Sequence, residues 1–149
     1  MKQPTEKELY EFLKDVDLSF PIPLSQKQDL LQFAKKLLTV ATLVTVYQDD
    51  ELVSLVAGYT ENVVNNMAYI SVVATKEKAR KQGYGKRTVK EFIAISKKKG
   101  LKAVHLYTVP SNLGAVNLYK NIGFTELFLE NEPRKEDLHL VYYISGGQK

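Results

Sequence analysis

Residues 68–87, AYISVVATKEKARKQGYGKR, decide how this chain folds. The apolar run Ala68–Ala74 has the length and the β-branched content of a buried strand. A charged turn follows, and a helical pattern opens after Gly83 and Gly85. Free N–H groups in the first turn of a helix bind anions, and the helix dipole favours the same charge. Strand, glycine loop and helix start together predict a phosphate-binding site.

Basic charge is concentrated at this loop. Six cations surround it, against the single acid Glu77: Lys76, Lys78, Arg80, Lys81, Lys86 and Arg87. Six positive charges and one negative charge give +5 within residues 76–87, whereas the whole chain carries only +4. The local charge therefore favours an anionic ligand.

Spacing separates the known types of phosphate loop. A Walker A loop has glycine and Ser or Thr where this chain has Arg80 and Arg87. A dinucleotide fingerprint requires a third glycine at the position of Thr88. The remaining pattern is Arg-x-x-Gly-x-Gly, formed by Arg80, Gly83 and Gly85. The hexapeptide alone is equally compatible with a lysine-rich surface turn.

Length and composition limit the class of protein. The 149 residues are enough for one domain, residues 1–149, and too few for two. The absence of cysteine excludes disulfides, thiolate zinc sites and a cysteine nucleophile, and we expect no metal site. The N-terminus is polar and no apolar run approaches a membrane span, so a cytoplasmic protein without membrane contact is expected.

Periodicity predicts four helices and six strands in the order ααββ–β–α–β–α–ββ. Capping patterns at Thr5 with Glu8 and at Ser25 with Gln28 start the first two helices, separated by a structured loop over Asp17–Leu24. The third helix follows the glycine loop and ends at Gly100, and the fourth covers Leu113–Asn121. The strands are predicted at Thr42–Tyr47, Leu52–Tyr59, Ala68–Ala74, Ala103–Val109, Phe124–Glu130 and Leu138–Ile144. The fold class is α/β (α+β): a mixed, mostly antiparallel sheet with one parallel strand pair joined by a right-handed crossover, flanked by helices.

A second motif follows about thirty residues after the glycine loop. It reads NLGAVNLYKNIGF over residues 112–124, with the marks Asn, Ala, Leu-Tyr and Gly-Phe. With the Arg-x-x-Gly-x-Gly loop at the expected separation, it resembles the GNAT superfamily (Gcn5-related N-acetyltransferases). The resemblance covers residues 25–145 and is most specific over residues 67–124.

This resemblance implies a cofactor and the residues that hold it. The cofactor is acetyl-CoA, whose pantetheine arm inserts between two splayed parallel strands as a surrogate strand. At the end of the family's central strand, where a bulge commonly turns amides toward CoA, this chain has Val73, Ala74 and Thr75. The family's pyrophosphate loop matches Arg80, Lys81, Gln82, Gly83, Tyr84, Gly85 and Lys86, and its pantetheine asparagine matches Asn112.

The match also suggests a catalytic acid. Tyr119 lies where the family places a tyrosine that protonates the departing thiolate, and we favour that role; the alternative is packing, since Tyr119 also belongs to the stripe Ala115–Ile122. No carboxylate lies on the central strand, so we expect the amine proton to leave through ordered water and backbone carbonyls, and we leave the general base unassigned. Glu61 is the nearest carboxylate in sequence, while His105 and His139 lie in strands and read as structural groups.

The acceptor is expected to be an amine on a small molecule. In the GNAT fold the acceptor pocket lies opposite CoA, so the resemblance implies contacts from the loop Asp17–Leu24, together with Tyr59, Ser71 and Tyr143. We expect the protein to act as a monomer or homodimer. Two alternatives stay open: a non-catalytic GNAT-fold module that binds acyl-CoA, and a nucleic-acid binder using the basic loop with Lys97–Lys99. The second lacks interleaved aromatic residues and a recognition helix, so no nucleic-acid partner is expected.

Overall fold

A computed structural model describes residues 2–144 and shows one mixed sheet flanked by four α-helices. The strands are β1 (Thr42–Gln48), β2 (Glu51–Tyr59), β3 (Met67–Thr75), β4 (Ala103–Thr108), β5 (Thr125–Glu126) and β6 (Leu138–Tyr143). The helices are α1 (Glu6–Val16), α2 (Leu30–Val40), α3 (Tyr84–Lys98) and α4 (Leu113–Ile122). Short 3-10 turns occupy Asp17–Ser19, Leu24–Gln26, Val64–Asn66 and Glu77–Ala79.

The sheet confirms the predicted fold class. Its strand order is β1-β2-β3-β4-β6-β5, and β3 and β4 are its parallel pair among the described residues. Helix α3 connects these two strands, as the crossover requires. The first two helices cover one face of the sheet, and α3 with α4 cover the other.

Helix α1 starts as its sequence predicts, and helix α2 does not. The Thr5 and Glu8 side chains and backbones form a reciprocal capping box at α1. At α2 the predicted cap at Ser25 is wrong, because the Asp29 carboxylate accepts from the Gln32 N–H at 2.9 Å and the helix begins at Leu30. The Ser25 hydroxyl instead donates to the carboxylate of Asp17 at 2.6 Å, which closes the loop between the helices.

Both hairpins differ in length from their predictions. The first turn needs only two residues, because Asp49 and Asp50 take left-handed φ values of 50° and 63°, as tight hairpin turns require. In the second hairpin, only Thr125–Glu126 of the predicted strand Phe124–Glu130 forms a strand. Phe124 lies buried under α4. The chain from 127 to 137 becomes a loop, hereafter the 127–137 loop, which lies beside β4 and β6 through contacts at Tyr107 and His139.

One glycine fixes how closely α3 packs on the sheet. A Cβ atom at Gly58 would lie 2.5 Å from the Tyr69 carbonyl oxygen and 2.6 Å from the Phe92 ring. Any larger residue would push α3 away from β2 and β3, because backbone and a buried ring cannot yield. Within residues 2–144 no helix has the length and apolar character of a membrane span.

Candidate active site

The parallel strands β3 and β4 pair over only three positions. These are Met67 with Ala103, Ala68 with Val104 and Tyr69 with His105. Beyond Tyr69 the two strands diverge, although β3 continues to Thr75 and β4 to Thr108. The second half of β3 therefore has no strand partner on this side, in the middle of an otherwise continuous sheet.

A β-bulge at Ser71 accompanies the divergence. Ala57 of β2 pairs with Val72 and Gly58 pairs with Ile70, which leaves Ser71 as the extra residue on β3. The bulge lies two residues before the position expected from the family pattern, at Val73. It also changes the faces of the strand: Ile70 packs with α3 and α4, whereas Val72 packs in the core under α1 and α2.

The free edge of β3 presents backbone groups. The Lys76 N–H donates to the Val53 carbonyl of β2 at 2.8 Å. Because successive N–H groups along a strand alternate in direction, those of Val73 and Thr75 face the opposite edge, toward β4. The Ala74 N–H faces β2. Two of the three predicted strand residues thus offer an amide to the gap.

The gap opens into a cleft of about 300 Å³ that is lined by residues from both faces of the sheet. On one side lie the loop residues Phe20, Pro21, Ile22 and Leu24; on the other lie Val73, Leu106, Asn112, Ala115 and Tyr119. Tyr69, Ser71, Tyr107 and Arg134 complete the wall. The structure therefore brings the predicted Ser71, Val73, Asn112, Tyr119 and interhelical loop into one cavity.

Tyr119 is largely enclosed but borders this cleft. Its side chain is 7% exposed and packs edge-on against Phe124 at 5.7 Å between ring centroids. No described residue hydrogen-bonds its hydroxyl, and no buried side-chain N or O atom in residues 2–144 lacks a partner, so the hydroxyl reaches the cleft surface. Burial raises the pKa of Tyr119, so the phenol keeps its proton throughout the neutral range.

Asn112 begins helix α4. Its side-chain oxygen accepts from the Ala115 N–H at 3.4 Å, which leaves the amide NH₂ group without a use in the cap. The residue lines the cleft between β4 and Tyr119. The cap fixes Asn112 in position, and its two remaining donors are available to a ligand.

The glycine loop builds the N-terminus of α3. Gly83 is the N-cap residue with a φ of +81°, and no described side chain caps the helix. The first intrahelical bond runs from the Arg87 N–H to the Gly83 carbonyl, so the N–H groups of Tyr84, Gly85 and Lys86 remain free. A Cβ atom at Gly85 would lie 3.3 Å from Leu118, so this glycine also lets α3 approach α4.

Several side chains of the glycine loop hold the loop in place. The Gln48 amide at the end of β1 contacts Gln82 at 3.0 Å and the Tyr84 hydroxyl at 2.8 Å. The Arg80 guanidinium donates to the Thr75 carbonyl at 3.1 Å and to the Ser19 hydroxyl at 2.7 Å. Arg80 thereby ties the glycine loop both to the end of β3 and to the loop that covers the cleft.

Internal ion pairs reduce the charge that the loop offers to a ligand. Lys76 contacts Glu51 at 2.9 Å and Asp15 at 3.0 Å, and Lys78 also binds Glu51. Hydrogen bonds from Lys78 and Lys76 lower the pKa of Glu51 to about 2. The exposed cations that remain at the helix start are Lys81, Lys86 and Arg87, joined by Lys90.

A second cavity of about 760 Å³ lies beside the cleft and shares Tyr69 with it. Its walls include Tyr59, Glu61 and His105. Tyr59 stacks on Tyr69, and Glu61 binds Lys99 at 2.6 Å. Tyr143 pairs with Ala103 at the far end of β4, so the structure does not bring it to the cleft.

Four side chains form a continuous hydrogen-bonded network that runs from the cleft wall at Tyr107 to residues behind it, and the sequence patterns do not predict this network. Tyr107 donates to one oxygen of Glu132, whose other oxygen contacts His139 Nδ1 at 2.9 Å. His139 Nε2 in turn contacts His105 Nδ1 at 2.7 Å. Burial and the neighbouring His139 lower the pKa of His105 to about 4. The sequence holds no local signal for this network, because its members are joined only by strand pairing and the 127–137 loop.

Comparisons with known proteins agree with this geometry. The sequence profile of the acetyltransferase (GNAT) family matches residues 9–124. A curated relative, GCN5-related N-acetyltransferase 4, chloroplastic, from Arabidopsis thaliana, is 39% identical over 61 residues. The match covers 41% of this chain and only 21% of that protein's length.

Solved structures resemble the whole chain. An acetyltransferase of the GNAT family from Staphylococcus aureus Mu50 superposes with a TM-score of 0.76 at 17% identity, covering 97% of this chain and 96% of that one. The PaiA N-acetyltransferase of Thermoplasma acidophilum, solved in complex with coenzyme A, gives 0.71 at 16% identity, covering 93% and 92%. At such identities the likeness establishes the fold.

Proposed function

The chain belongs to the acetyltransferase (GNAT) family, whose members bind acetyl-CoA or CoA, and we propose that it is an acetyl-CoA-dependent N-acetyltransferase. It moves the acetyl group to a primary amine of a small molecule by direct attack on the thioester. One observation carries this proposal: the unpaired edge of β3 and Tyr119 line one cleft, and the uncapped start of α3 follows β3 in the chain, with Arg80 tying the intervening loop to the Thr75 carbonyl.

The cleft and the start of α3 suit two polar parts of CoA. A pantetheine arm carries two amides, which pair with the backbone of Val73 and Thr75 along the free edge of β3. The pyrophosphate suits the free N–H groups of residues 84–86, where the helix dipole also attracts anions. Lys81, Lys86 and Arg87 add positive charge, and the free amide donors of Asn112 reach the pantetheine arm.

Tyr119 acts as the general acid. When bound, acetyl-CoA supplies a thioester carbonyl that is open to attack by an amine. The departing thiolate has a conjugate acid of pKa about 8.5 and needs a proton as it leaves. Burial raises the pKa of Tyr119, so at neutral pH its phenol is protonated and has a proton to give to the sulfur.

The acceptor enters from the side of α1 and α2. The residues Phe20–Leu24 form an apolar cover over the cleft, and Ser71 with Tyr69 forms the floor toward the second cavity. A cleft of about 300 Å³ matches the lower end of small-molecule pockets. The Tyr59 ring, which lines the adjoining cavity, provides a further contact surface for the acceptor.

An acetyl-transfer assay tests the function. The purified protein is incubated with acetyl-CoA and, separately, benzylamine, spermidine, glucosamine and an alanine-led tetrapeptide, and free CoA is measured. We expect at least one small amine to be acetylated well above the rate without acceptor. Acetylation of the tetrapeptide alone would contradict the small-molecule assignment, and no transfer to any member would contradict the enzymatic one.

One observation favours the alternative of a non-catalytic acyl-CoA-binding module. No Asp or Glu is among the described residues that line the cleft, so the expected proton acceptor for the amine is absent from its immediate wall. Calorimetry separates the two functions: a module binds acetyl-CoA without turnover in the assay above, whereas an enzyme does both.

A further inference from the structure

A carboxylate, that of Glu132, lies one side chain behind the wall of the cleft. We propose that Glu132, reached through the hydroxyl of Tyr107, is the general base that takes the proton from the acceptor amine. This inference rests on the proposed acetyltransferase function and assigns the base for that same site.

Tyr107 joins the cleft to the carboxylate. Its side chain lines the cleft together with Ser71, Asn112 and Tyr119, and its hydroxyl donates to Glu132 Oε1. Since Leu106 packs against α3 and α4, Tyr107 faces the opposite side of the sheet, toward the acceptor entrance. The acid Tyr119 and the base pair Tyr107–Glu132 therefore approach the thioester position from opposite faces.

Histidines hold the carboxylate in place. An ionised Glu132 only accepts hydrogen bonds, so His139 must donate from Nδ1. The other nitrogen of a neutral His139 is then an acceptor, which requires His105 to donate from its own Nδ1. His139 is stacked on the Tyr107 ring at 4.1 Å. We assign His139 and His105 as positioning residues that orient Glu132 toward Tyr107.

Glu132 is ionised and Tyr107 is protonated at neutral pH, as a proton relay through the pair requires. Burial raises the pKa of Glu132, but hydrogen bonds from Tyr107 and His139 outweigh this effect and the net pKa is lowered. The pKa of Tyr107 is raised, by burial first and by its bond to Glu132 second. At neutral pH the pair is therefore a phenol on a carboxylate. The other ionisable groups around the pair are His105, Tyr69 and Arg134, which pairs with Asp137.

The step balances through two protons. The acceptor arrives as an ammonium ion and gives one N–H proton to the Tyr107 oxygen, while the Tyr107 proton moves to Glu132 and later to solvent. The freed nitrogen lone pair forms the C–N bond with the acetyl carbon, and the C–S bond breaks with its electrons on sulfur. Tyr119 protonates that thiolate, and the second nitrogen proton restores Tyr119. The products are the amide, CoA thiol and one released proton.

Glu132→Gln tests the base while preserving the shape of the side chain: its amide oxygen still accepts from His139, and its NH₂ group donates to the Tyr107 oxygen. With the best acceptor of the amine panel, we expect kcat to fall by roughly 10²–10⁴-fold at neutral pH, the typical contribution of general base catalysis. The deficit should shrink as the pH approaches the pKa of the amine, because free amine no longer needs a base. Calorimetric affinity for CoA should be unchanged. Glu130→Gln makes the same charge change on an exposed side chain of the 127–137 loop and should match wild type.

A readout without turnover completes the test. By NMR, the carboxyl carbon of Glu132 should titrate below the ordinary glutamate range, and Tyr107→Phe should raise its pKa by removing one donor. Wild-type transfer with an equally active Glu132→Gln protein, a pH-independent deficit, or an ordinary Glu132 titration overturns the base assignment and leaves the enzyme proposal standing. A wild type that binds CoA but acetylates no amine overturns the enzyme proposal, and the base assignment with it.

Discussion

The proposed site has two halves that are built in different ways. The half that we assign to CoA consists of β3, the glycine loop and the starts of α3 and α4, and it uses mainly backbone groups from short contiguous segments. The half that we assign to the acceptor consists of side chains on β3, β4, β6 and the 127–137 loop. Its hydrogen bonds join residues far apart in sequence, such as His105 with His139, 34 positions away, and Arg134 with Tyr69, 65 positions away.

This difference explains why one half is recognisable from sequence and the other is not. A helix N-terminus with free N–H groups needs a left-handed residue and a close helix approach, and both demands fall on glycines within three residues, Gly83 and Gly85. A side-chain network needs only complementary donors and acceptors at the end of the fold. Many residue combinations satisfy that requirement, so no fixed spacing announces it.

The largest expected effect is the loss of kcat in Tyr119→Phe. Tyr119 belongs to the half that is recognisable from sequence, and it acts where the two halves meet. Tyr119→Phe removes a hydroxyl and keeps the ring that packs on Phe124. Loss of the proton donor should lower kcat by roughly 10²–10⁴-fold. Melting temperature and CoA affinity should stay close to wild type, because no described residue bonds that hydroxyl and the pyrophosphate contacts lie elsewhere. Steady-state kinetics, calorimetry and thermal unfolding measure the three quantities.

Tyr142→Phe serves as the matched control, because this half-buried tyrosine contacts the same Phe124 ring from β6 and does not line the cleft. It should leave kcat unchanged. If kcat of Tyr119→Phe lies within threefold of the wild-type value, Tyr119 only packs. The proposed proton-transfer groups would then all lie in the acceptor half, at Tyr107 and Glu132.

Sequence patterns predict most of the fold because burial periodicity reports it directly. The four helices, the six strands and the parallel pair all occur in the predicted order, since apolar stripes and glycine stops mark them. Prediction fails where side chains compete for the same backbone groups. Asp29 rather than Ser25 caps α2, because the Asp17 carboxylate already engages Ser25. The predicted strand Phe124–Glu130 is shorter in the structure because Phe124 is buried under α4 instead.

The site divides in the same way. Glycine-loop geometry and the cleft position of Asn112 and Tyr119 follow from local motifs. The use of Lys76, Lys78 and Arg80 in internal contacts does not, because a charge count cannot tell a paired cation from a free one. Glu132 cannot be found from sequence for another reason: the residues between β5 and β6 carry no periodicity that places a side chain in space.

A smaller effect should follow from changing the recognisable half at its backbone. Gly83→Ala places a Cβ atom at the start of α3 and strains a φ of +81°. Affinity for CoA should fall by about tenfold, equivalent to about 1.4 kcal/mol, because the methyl group holds the pyrophosphate away from the free N–H groups. Calorimetric titration with CoA measures the change.

Gly100→Ala is an unusually close control for that variant. Gly100 has the same φ of +81°, a Cβ atom added there would also meet no atom within 4 Å, and the residue lies just beyond the other end of α3. Both variants should lose similar stability, about 1–2 kcal/mol for a left-handed residue, but only Gly83→Ala should weaken CoA binding. Equal CoA affinities in the two variants would show that the start of α3 does not bind the pyrophosphate.

The smallest expected effect lies in the stability of the other half. The pKa of His105 is about 4 in the folded protein against an ordinary value of 6.5, so the unfolded chain takes up its proton first as the pH falls. Its stabilising contribution is complete above pH 6.5 and is lost between pH 6.5 and about 4. His105→Asn keeps a donor for His139 without this titration. Between pH 6.5 and 5, above most carboxylate titrations, wild type should lose roughly 2–4 °C more in melting temperature than the variant, after allowing for partial exposure of the ring. If the melting temperatures of the two proteins change equally with pH, His105 is already charged in the folded protein. The hydrogen-bond directions assigned from neutral His105 through His139 to Glu132 would then be wrong.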